Sequence, residues 1–208
     1  MNPSVPTLVV ITDRHAAART GRPLRDVVAA AVDAGAPAVL FRDKDLEHAE
    51  RRALGEQLAS VVTRAGALLS VASDPDLARH LDADAIHLAA DDAHPGEHAA
   101  GMLVGRSCHD GAEVEAARGE ATDLLLVSPV APTASKPGYG PALGPAGFRY
   151  LVARAGDRPV LALGGVTAEN ASAWRDAGAH GVAVMGGVMA SRDPAHVVRR
   201  LLETWKRS

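Results

Sequence analysis

Short apolar runs rich in Val, Ile, Leu and Ala recur along the 208-residue chain. Each run is too short for a helix, and most lack the polar alternation of a strand with one face in water. Such runs are typical of strands that are buried on both faces of a parallel sheet. The pattern predicts eight strands, at Thr7–Ile11, Ala38–Phe41, Leu68–Ala72, Ala85–Leu88, Leu103–Gly105, Asp123–Val127, Val160–Leu163 and Gly181–Val184.

Between these runs, apolar residues recur three and four positions apart, which predicts amphipathic helices. Two of these segments also begin with an aspartate, which caps helices well, followed by proline in the first turn. We expect helices at Leu24–Ala34, at His48–Ala65, from Asp74-Pro75, from about Ala146, from Thr167 as N-cap to Ala177, and from Asp193-Pro194 to about Trp205.

The regular alternation of strand and helix predicts an α/β fold with parallel strands, because such strands need a long crossover between them. Eight units in about 200 residues fit a small (β/α)8 TIM barrel, and we expect one domain over residues 1–208. The alternative is an open doubly wound sheet. However, no GxGxxG motif follows the first strand, which ends in Thr12-Asp13-Arg14.

Composition narrows the function classes. The net charge of −3 argues against a nucleic-acid-binding surface. The single cysteine, Cys108, excludes an internal disulfide and suits a reducing compartment. No apolar stretch is long enough to cross a membrane, and the first residues do not resemble a signal peptide. We therefore expect a cytoplasmic protein without nucleic-acid or membrane partners.

The longest irregular stretch, Ser128–Gly144, follows the sixth strand and is rich in proline and glycine. Loops of this length inside a domain are uncommon and tend to be functional. Its centre holds Thr133, Ser135 and Lys136, two hydroxyls and a cation that suit a phosphate. The alternative is a solvated surface loop.

In a barrel of this kind the chemistry lies where strands end and the following loops begin. The candidates at the other strand ends are the cations Arg42 and Lys44, the Ser73-Asp74 pair, Asp92 beside Asp91, Ser107 with His109, the Gly164-Gly165 pair, and the Met185-Gly186-Gly187 turn. Two carboxylates could bind Mg²⁺, and glycine pairs let main-chain N–H groups approach a phosphate. Asp74 could instead cap a helix, and His109 could be an acid–base group or a polar loop residue.

These residues together resemble a known family. Arg42-x-Lys44, Ser73-Asp74, His87-Leu with Asp92, Ser107-x-His109, the PTASKPG loop, ALGGV and GVAVM occur in the order found in thiamine phosphate synthase and its relative, the thiazole tautomerase. The resemblance extends from Leu8 to about Leu202 and is closer to the synthase.

The resemblance implies an enzyme that couples hydroxymethylpyrimidine diphosphate with thiazole phosphate and releases diphosphate. By the same resemblance, Asp74 and Asp92 match Mg²⁺ ligands. The other matches are Arg42, Lys44 and Lys136 around the diphosphate, Ser73, Ser107, Thr133 and Ser135 as polar contacts to substrate or its phosphates, and Gly165 and Met185 to Gly187 at the thiazole phosphate.

The chain departs from the synthase pattern at Leu40, Ser73 and Ala90, where Gln, Asn and Gln are usual. Two alternatives therefore stay open. One is a tautomerase-like isomerase in which His109 is the catalytic acid–base group. The other is a non-catalytic barrel that binds a phosphorylated ligand. The composition also allows a homodimer.

Overall fold

Eight parallel strands close into a barrel in the computed structural model, which describes residues 4–133 and 141–206. Each strand pairs with the next along the chain, and the eighth pairs with the first. The strands are β1 (Leu8–Ile11), β2 (Ala38–Phe41), β3 (Leu68–Ala72), β4 (Ala85–Leu88), β5 (Leu103–Cys108), β6 (Leu124–Val127), β7 (Val160–Leu163) and β8 (Gly181–Val184). The predicted TIM barrel is confirmed.

Helices surround the barrel, as the alternating pattern predicts. The described residues form α1 (Arg14–Ala18), α2 (Leu24–Asp33), α3 (His48–Arg64), α4 (Pro75–His80), α5 (Gly111–Arg118), α6 (Gly144–Ala155), α7 (Ala171–Asp176), α8 (Gly186–Met189) and α9 (Pro194–Lys206). Across residues 4–133 and 141–206, none of the helices combines the length and the hydropathy that crossing a bilayer requires.

Two apolar layers form because successive strand residues point to opposite faces of the sheet. One layer fills the barrel with Val9, Leu40, Leu126 and Ala183 among its buried members. The other lies between the strands and the helices and contains larger side chains such as Phe41. This parity brings alternate residues at the strand ends to the mouth of the barrel.

Several predicted boundaries differ from the structure by one or two residues, and two are wrong by three residues. The seventh helix begins at Ala171 with Asn170 as its N-cap residue, because the Asn170 side chain accepts a hydrogen bond from the Thr167 N–H at 2.8 Å and so occupies the turn before the helix. The fifth strand continues to Cys108, so Ser107 lies in the strand and not after it. Hydrogen bonding to β6 extends along this end of β5, which a local apolar pattern does not reveal.

The connection from β4 to β5 is unusual for this fold. Among its residues only Gly96–Ala99 form a helical turn, of the 3₁₀ type, and there is no α-helix. The predicted carboxylate Asp92 lies in the first part of this connection, at the carboxyl end of β4.

Candidate active site

A cation, a hydroxyl and a carboxylate from three strand ends meet at the mouth of the barrel. Lys44 follows β2, and its Nζ donates to Ser73 Oγ at 2.5 Å. The Ser73 hydroxyl, after β3, in turn donates to Asp92 Oδ2. Burial lowers the pKa of Lys44, and the charge of Asp92 opposes that shift. Three residues that the sequence analysis chose separately thus form one continuous chain.

A buried carboxylate that the sequence analysis did not select, Asp43, links the ends of β1 and β2. Asp43 accepts hydrogen bonds from the Thr12 hydroxyl at 2.6 Å and from the Arg14 N–H at 2.8 Å. The Thr12 oxygen also accepts from the Arg42 N–H at 2.8 Å. Arg42 and Lys44 line a cleft of about 320 Å³ beside these anchors. The sequence signal for this carboxylate was the Thr12-Asp13-Arg14 strand end, because Thr12 and Arg14 are the residues that donate to Asp43.

Asp74 has two structural partners. Its Oδ1 accepts from the Leu77 N–H at 2.9 Å, so it caps α4 as one interpretation of the sequence predicted. Its Oδ2 lies 2.9 Å from Nη1 of Arg51, a buried side chain of α3. Nη2 of Arg51 donates to the Ala72 carbonyl at 2.8 Å, and the guanidinium lies over the Phe41 ring. Arg51 was missed because it belongs to a charged helical stretch with no distinguishing local pattern.

Asp92 turns back on its own loop. Its Oδ2 accepts from the Ala89 N–H at 2.7 Å as well as from Ser73, and Oδ1 receives no hydrogen bond from the described residues. Burial alone would raise the pKa of Asp92, but the hydrogen bonds from Ser73 and Ala89 and the charges of Lys44 and Arg106 outweigh it. The carboxylate is therefore ionised near neutral pH.

Inside the barrel, His87 of β4 lies against Ser107 of β5, with Nε2 and Oγ 2.9 Å apart. Burial, followed by the charge of Lys44, lowers the pKa of His87 to about 4, so the ring is neutral at pH 7. Gly105 makes room for the ring, because a Cβ at that position would lie 2.8 Å from His87 Nδ1. Ser107 thus presents its hydroxyl next to a neutral imidazole.

His109 lies just after β5 and beside the start of α5. Its main-chain N–H donates to Glu113 Oε2 at 2.7 Å, and its Nδ1 lies 2.8 Å from the same oxygen. Asp110 caps this helix by accepting from the Glu113 N–H. His109 is therefore oriented by the first turn of α5.

The loop after β6 leaves the barrel along the end of β7. Val130 N–H donates to the Leu163 carbonyl at 2.9 Å, and Ala131 N–H to the Gly164 carbonyl at 3.0 Å. Gly165 has φ +69, and a Cβ there would lie 2.4 Å from the Pro132 carbonyl oxygen. This close approach requires glycine. Thr133, the residue after Pro132, is half-buried. The predicted Ser135 and Lys136 lie outside the described residues.

The Met185-Gly186-Gly187 turn lies at the end of β8, where the short helix α8 begins. A Cβ added at Gly187 would meet no atom within 4 Å, so this part of the turn borders open space. The glycine pairs after β7 and β8 are adjacent because these strands pair directly. The candidate residues on described parts of the chain thus lie at one end of the barrel.

Comparison with known proteins identifies the family of the chain. The family model described as thiamine monophosphate synthase matches residues 8–188. The chain belongs to this family. The family assignment made from the motifs, with its transferase class, is confirmed at this level.

Relatives of the family cover most of the chain. It is 38% identical over 183 residues to a thiamine-phosphate synthase of Prochlorococcus marinus (strain MIT 9303), spanning 85% of this chain but only half of that protein. It is 37% identical to the Roseiflexus castenholzii thiamine-phosphate synthase over 93% of this chain and 86% of the relative. The structure of a thiamine phosphate pyrophosphorylase from Pyrococcus furiosus superposes with a TM-score of 0.84 at 28% identity, covering 95% of this chain and 94% of the other.

Two departures from the family's usual residues have a clear place in the structure. Leu40 is 3% exposed and lines a small internal cavity of about 30 Å³ together with His87. Ser73 has φ +55, a left-handed conformation that suits a short polar side chain and that asparagine adopts readily. Both positions belong to the β2–β3 side of the barrel, Leu40 in its interior and Ser73 at its mouth.

Proposed function

We propose that the protein is a thiamine phosphate synthase that couples hydroxymethylpyrimidine diphosphate with thiazole phosphate. The Lys44–Ser73–Asp92 chain supports this most strongly, because it brings a cation for phosphate oxygens next to a carboxylate for a metal ion. Membership of the thiamine monophosphate synthase family points to the same substrates.

The residues at the mouth fit Mg²⁺. Asp92, Ser73 and Asp74 offer hard oxygen donors, and Mg²⁺ is commonly held by one or two carboxylates together with water and substrate phosphates. Asp92 is ionised and has one carboxylate oxygen without a hydrogen bond from the described residues. We assign Asp92 and Asp74 as its protein ligands, Asp74 with less freedom because Arg51 and the Leu77 N–H already contact it. Bound Mg²⁺ would neutralise charge on the diphosphate.

In the proposed reaction, the bond between the pyrimidine methylene carbon and the diphosphate oxygen breaks, and the electron pair stays on the diphosphate. The thiazole nitrogen then forms the new bond to that carbon. Arg42, Lys44 and Lys136 would stabilise the charge that develops on the leaving group, and fixed charges of this kind lower the barrier most. The hydroxyls of Ser73, Ser107, Thr133 and Ser135 would contact phosphate oxygens.

The thiazole phosphate would bind at the opposite side of the mouth. Gly165 and the Met185 to Gly187 turn would offer main-chain N–H groups to its phosphate, as glycine-rich strand ends commonly do in such barrels. With both substrates held across the mouth, the thiazole nitrogen needs only correct placement to react.

The test is formation of thiamine phosphate by the purified protein from both substrates, with and without Mg²⁺. Asp92→Asn should lower the rate at least about a hundredfold, because it removes the charge that holds the metal. Asp91→Asn is the matched control: its carboxylate is exposed and adjacent, and its rate should stay within about threefold of wild type. Equal losses in the two variants, or full activity in EDTA, would contradict the proposal.

The same assay separates the alternatives. A tautomerase would isomerise its thiazole substrate in EDTA and lose this activity in His109→Ala. A binding barrel would bind thiazole phosphate without turnover in either assay. The predicted homodimer and the cytoplasmic location remain predictions, and light scattering of the purified protein would test the first.

A further inference from the structure

We propose that Arg106 is a positioning residue that holds the loop carrying Asp92 in the shape required to bind the metal. This inference rests on the proposed function, because it takes Asp92 as a metal ligand. Arg106 lies on β5 and is buried, with a side chain 5% exposed.

Arg106 reaches the loop from the outer face of the barrel. Its register partner is Leu88, the last residue of β4, so its side chain starts beside the point where the loop leaves the sheet. Its neighbours Gly105 and Ser107 contact His87 in the barrel interior, and strand parity sends Arg106 the other way.

One nitrogen of Arg106 contacts three main-chain carbonyls of the loop. Nη1 lies within hydrogen-bond distance of the carbonyl oxygens of Ala89 (3.0 Å), Ala90 (3.1 Å) and Asp92 (2.9 Å). The Ala89 carbonyl also accepts from the Asp92 N–H at 3.3 Å, but no α-helix is present in this connection to provide regular main-chain partners for the half-buried carbonyls. The guanidinium therefore supplies bonds that regular secondary structure provides elsewhere in the barrel.

The charge of Arg106 is balanced at the far side. Nη2 lies 2.8 Å from Oε2 of Glu120, which follows α5.

Asp92 is held through both of its acceptor groups: Arg106 contacts its carbonyl, while Ser73 and the Ala89 N–H contact its carboxylate. Loss of the guanidinium would remove its contacts with the three carbonyls and let the Asp92 side chain move relative to Ser73.

The experiment compares Arg106→Met, which keeps length but removes the donors, with Arg106→Lys, which restores a charged donor. Binding of Mn²⁺, a paramagnetic substitute for Mg²⁺, is measured by electron paramagnetic resonance. The half-saturating Mg²⁺ concentration for thiamine phosphate formation is measured in parallel. We expect Arg106→Met to weaken metal binding about 10- to 100-fold, the range for groups that orient metal ligands, and Arg106→Lys to recover part of it.

Two controls separate positioning from general damage. Arg79→Met removes an exposed arginine that donates to the Glu97 and His98 carbonyls of the same connection, and it should leave metal binding unchanged. Thiazole phosphate affinity without metal should be equal in all variants. Amide hydrogen exchange at residues 89–92 should increase in Arg106→Met but not in Arg79→Met.

Unchanged metal binding in folded Arg106→Met, or an equal change in Arg79→Met, would overturn the inference. If Arg106→Met does not fold, Arg106→Lys and Glu120→Gln take its place. Wild-type metal affinity and wild-type amide exchange in both of these variants would overturn the inference. A wild-type protein that binds Mn²⁺ but forms no thiamine phosphate would contradict the proposed function, while the metal-binding comparison would still test Arg106.

Discussion

At the scale of single residues, the site depends on polar groups whose behaviour is set by burial. His87 and Ser107 face the barrel interior, and Lys44, Ser73 and Asp92 form a chain at its mouth. Buried Cys108 differs: burial raises its pKa to about 12, so it is an unreactive thiol. Two predictions concern single residues.

The first concerns pH. His87 has a pKa of about 4 in the folded protein and 6.5 as its ordinary value, because burial and the charge of Lys44 disfavour the imidazolium. Between these values the unfolded chain binds a proton that the folded chain does not, so stability falls as the pH drops through this window. From about pH 7 to about pH 5, this residue should cost the wild type about 2 kcal/mol.

Urea denaturation of wild type and His87→Gln at both pH values measures this. As the pH falls, the wild type should lose more unfolding free energy than His87→Gln loses. Parallel pH dependences would show that the imidazole is already charged or accessible in the folded state.

The second concerns the buried guanidinium of Arg51. Arg51→Met should lower the unfolding free energy by about 2 kcal/mol, less than for a fully buried pair because the Asp74 side chain is 22% exposed. Arg52→Met is the control, since Arg52 forms an exposed pair with Glu56 and should change stability by less than about 0.5 kcal/mol. Similar losses in both would contradict a special role for the Arg51–Asp74 contact.

At the scale of elements, the βα loops owe their positions to contacts with neighbouring strand ends. The loop after β6 continues the hydrogen bonding of the sheet onto Leu163 and Gly164. Gly165 then allows the Pro132 carbonyl to approach closely.

Gly165→Ala should displace residues 130–133 and lower kcat/KM at least about tenfold, because small misplacements of substrate contacts are costly. Gly66→Ala is a matched control: Gly66 has φ +68 and a Cβ there would meet nothing within 4 Å. Both variants bear the cost of a left-handed alanine, about 1 kcal/mol. Steady-state kinetics that change equally in both would contradict the contact argument.

At the scale of the whole molecule, stability depends on closure between the first and last strands. Gly181 begins β8, and a Cβ there would lie 2.6 Å from the Thr7 carbonyl oxygen. The Val182 N–H donates to that same oxygen at 2.9 Å, so the backbone has little freedom to shift.

Gly181→Ala should therefore lower the unfolding free energy by about 2 kcal/mol or more, as overpacking does in tight sites. Gly119→Ala, at an ordinary φ of −75, should stay within about 1 kcal/mol of wild type. Chemical denaturation compares them, and a neutral Gly181→Ala would show that the seam between β1 and β8 can widen.

The sequence by itself determined the barrel and most of its elements. Buried strands such as Val160–Leu163 and Gly181–Val184 were predicted at their observed bounds, because short apolar runs and capped amphipathic helices are local signals. The sequence also determined the family, since the motifs at the strand ends consist of recognisable residue types in a recognisable order. The predicted N-cap at Thr167 was wrong because a nearby residue, Asn170, forms turns equally well.

Only the tertiary structure decided how these residues work together. The contact of Lys44 with Ser73 and Asp92 joins three separate loops, and Arg51 and Arg106 reach loops distant in sequence from their own elements. Such contacts depend on strand register, barrel closure and burial, which place a charged side chain in a helix or strand beside a particular carbonyl or carboxylate. A charge in a local pattern carries no information about that partner.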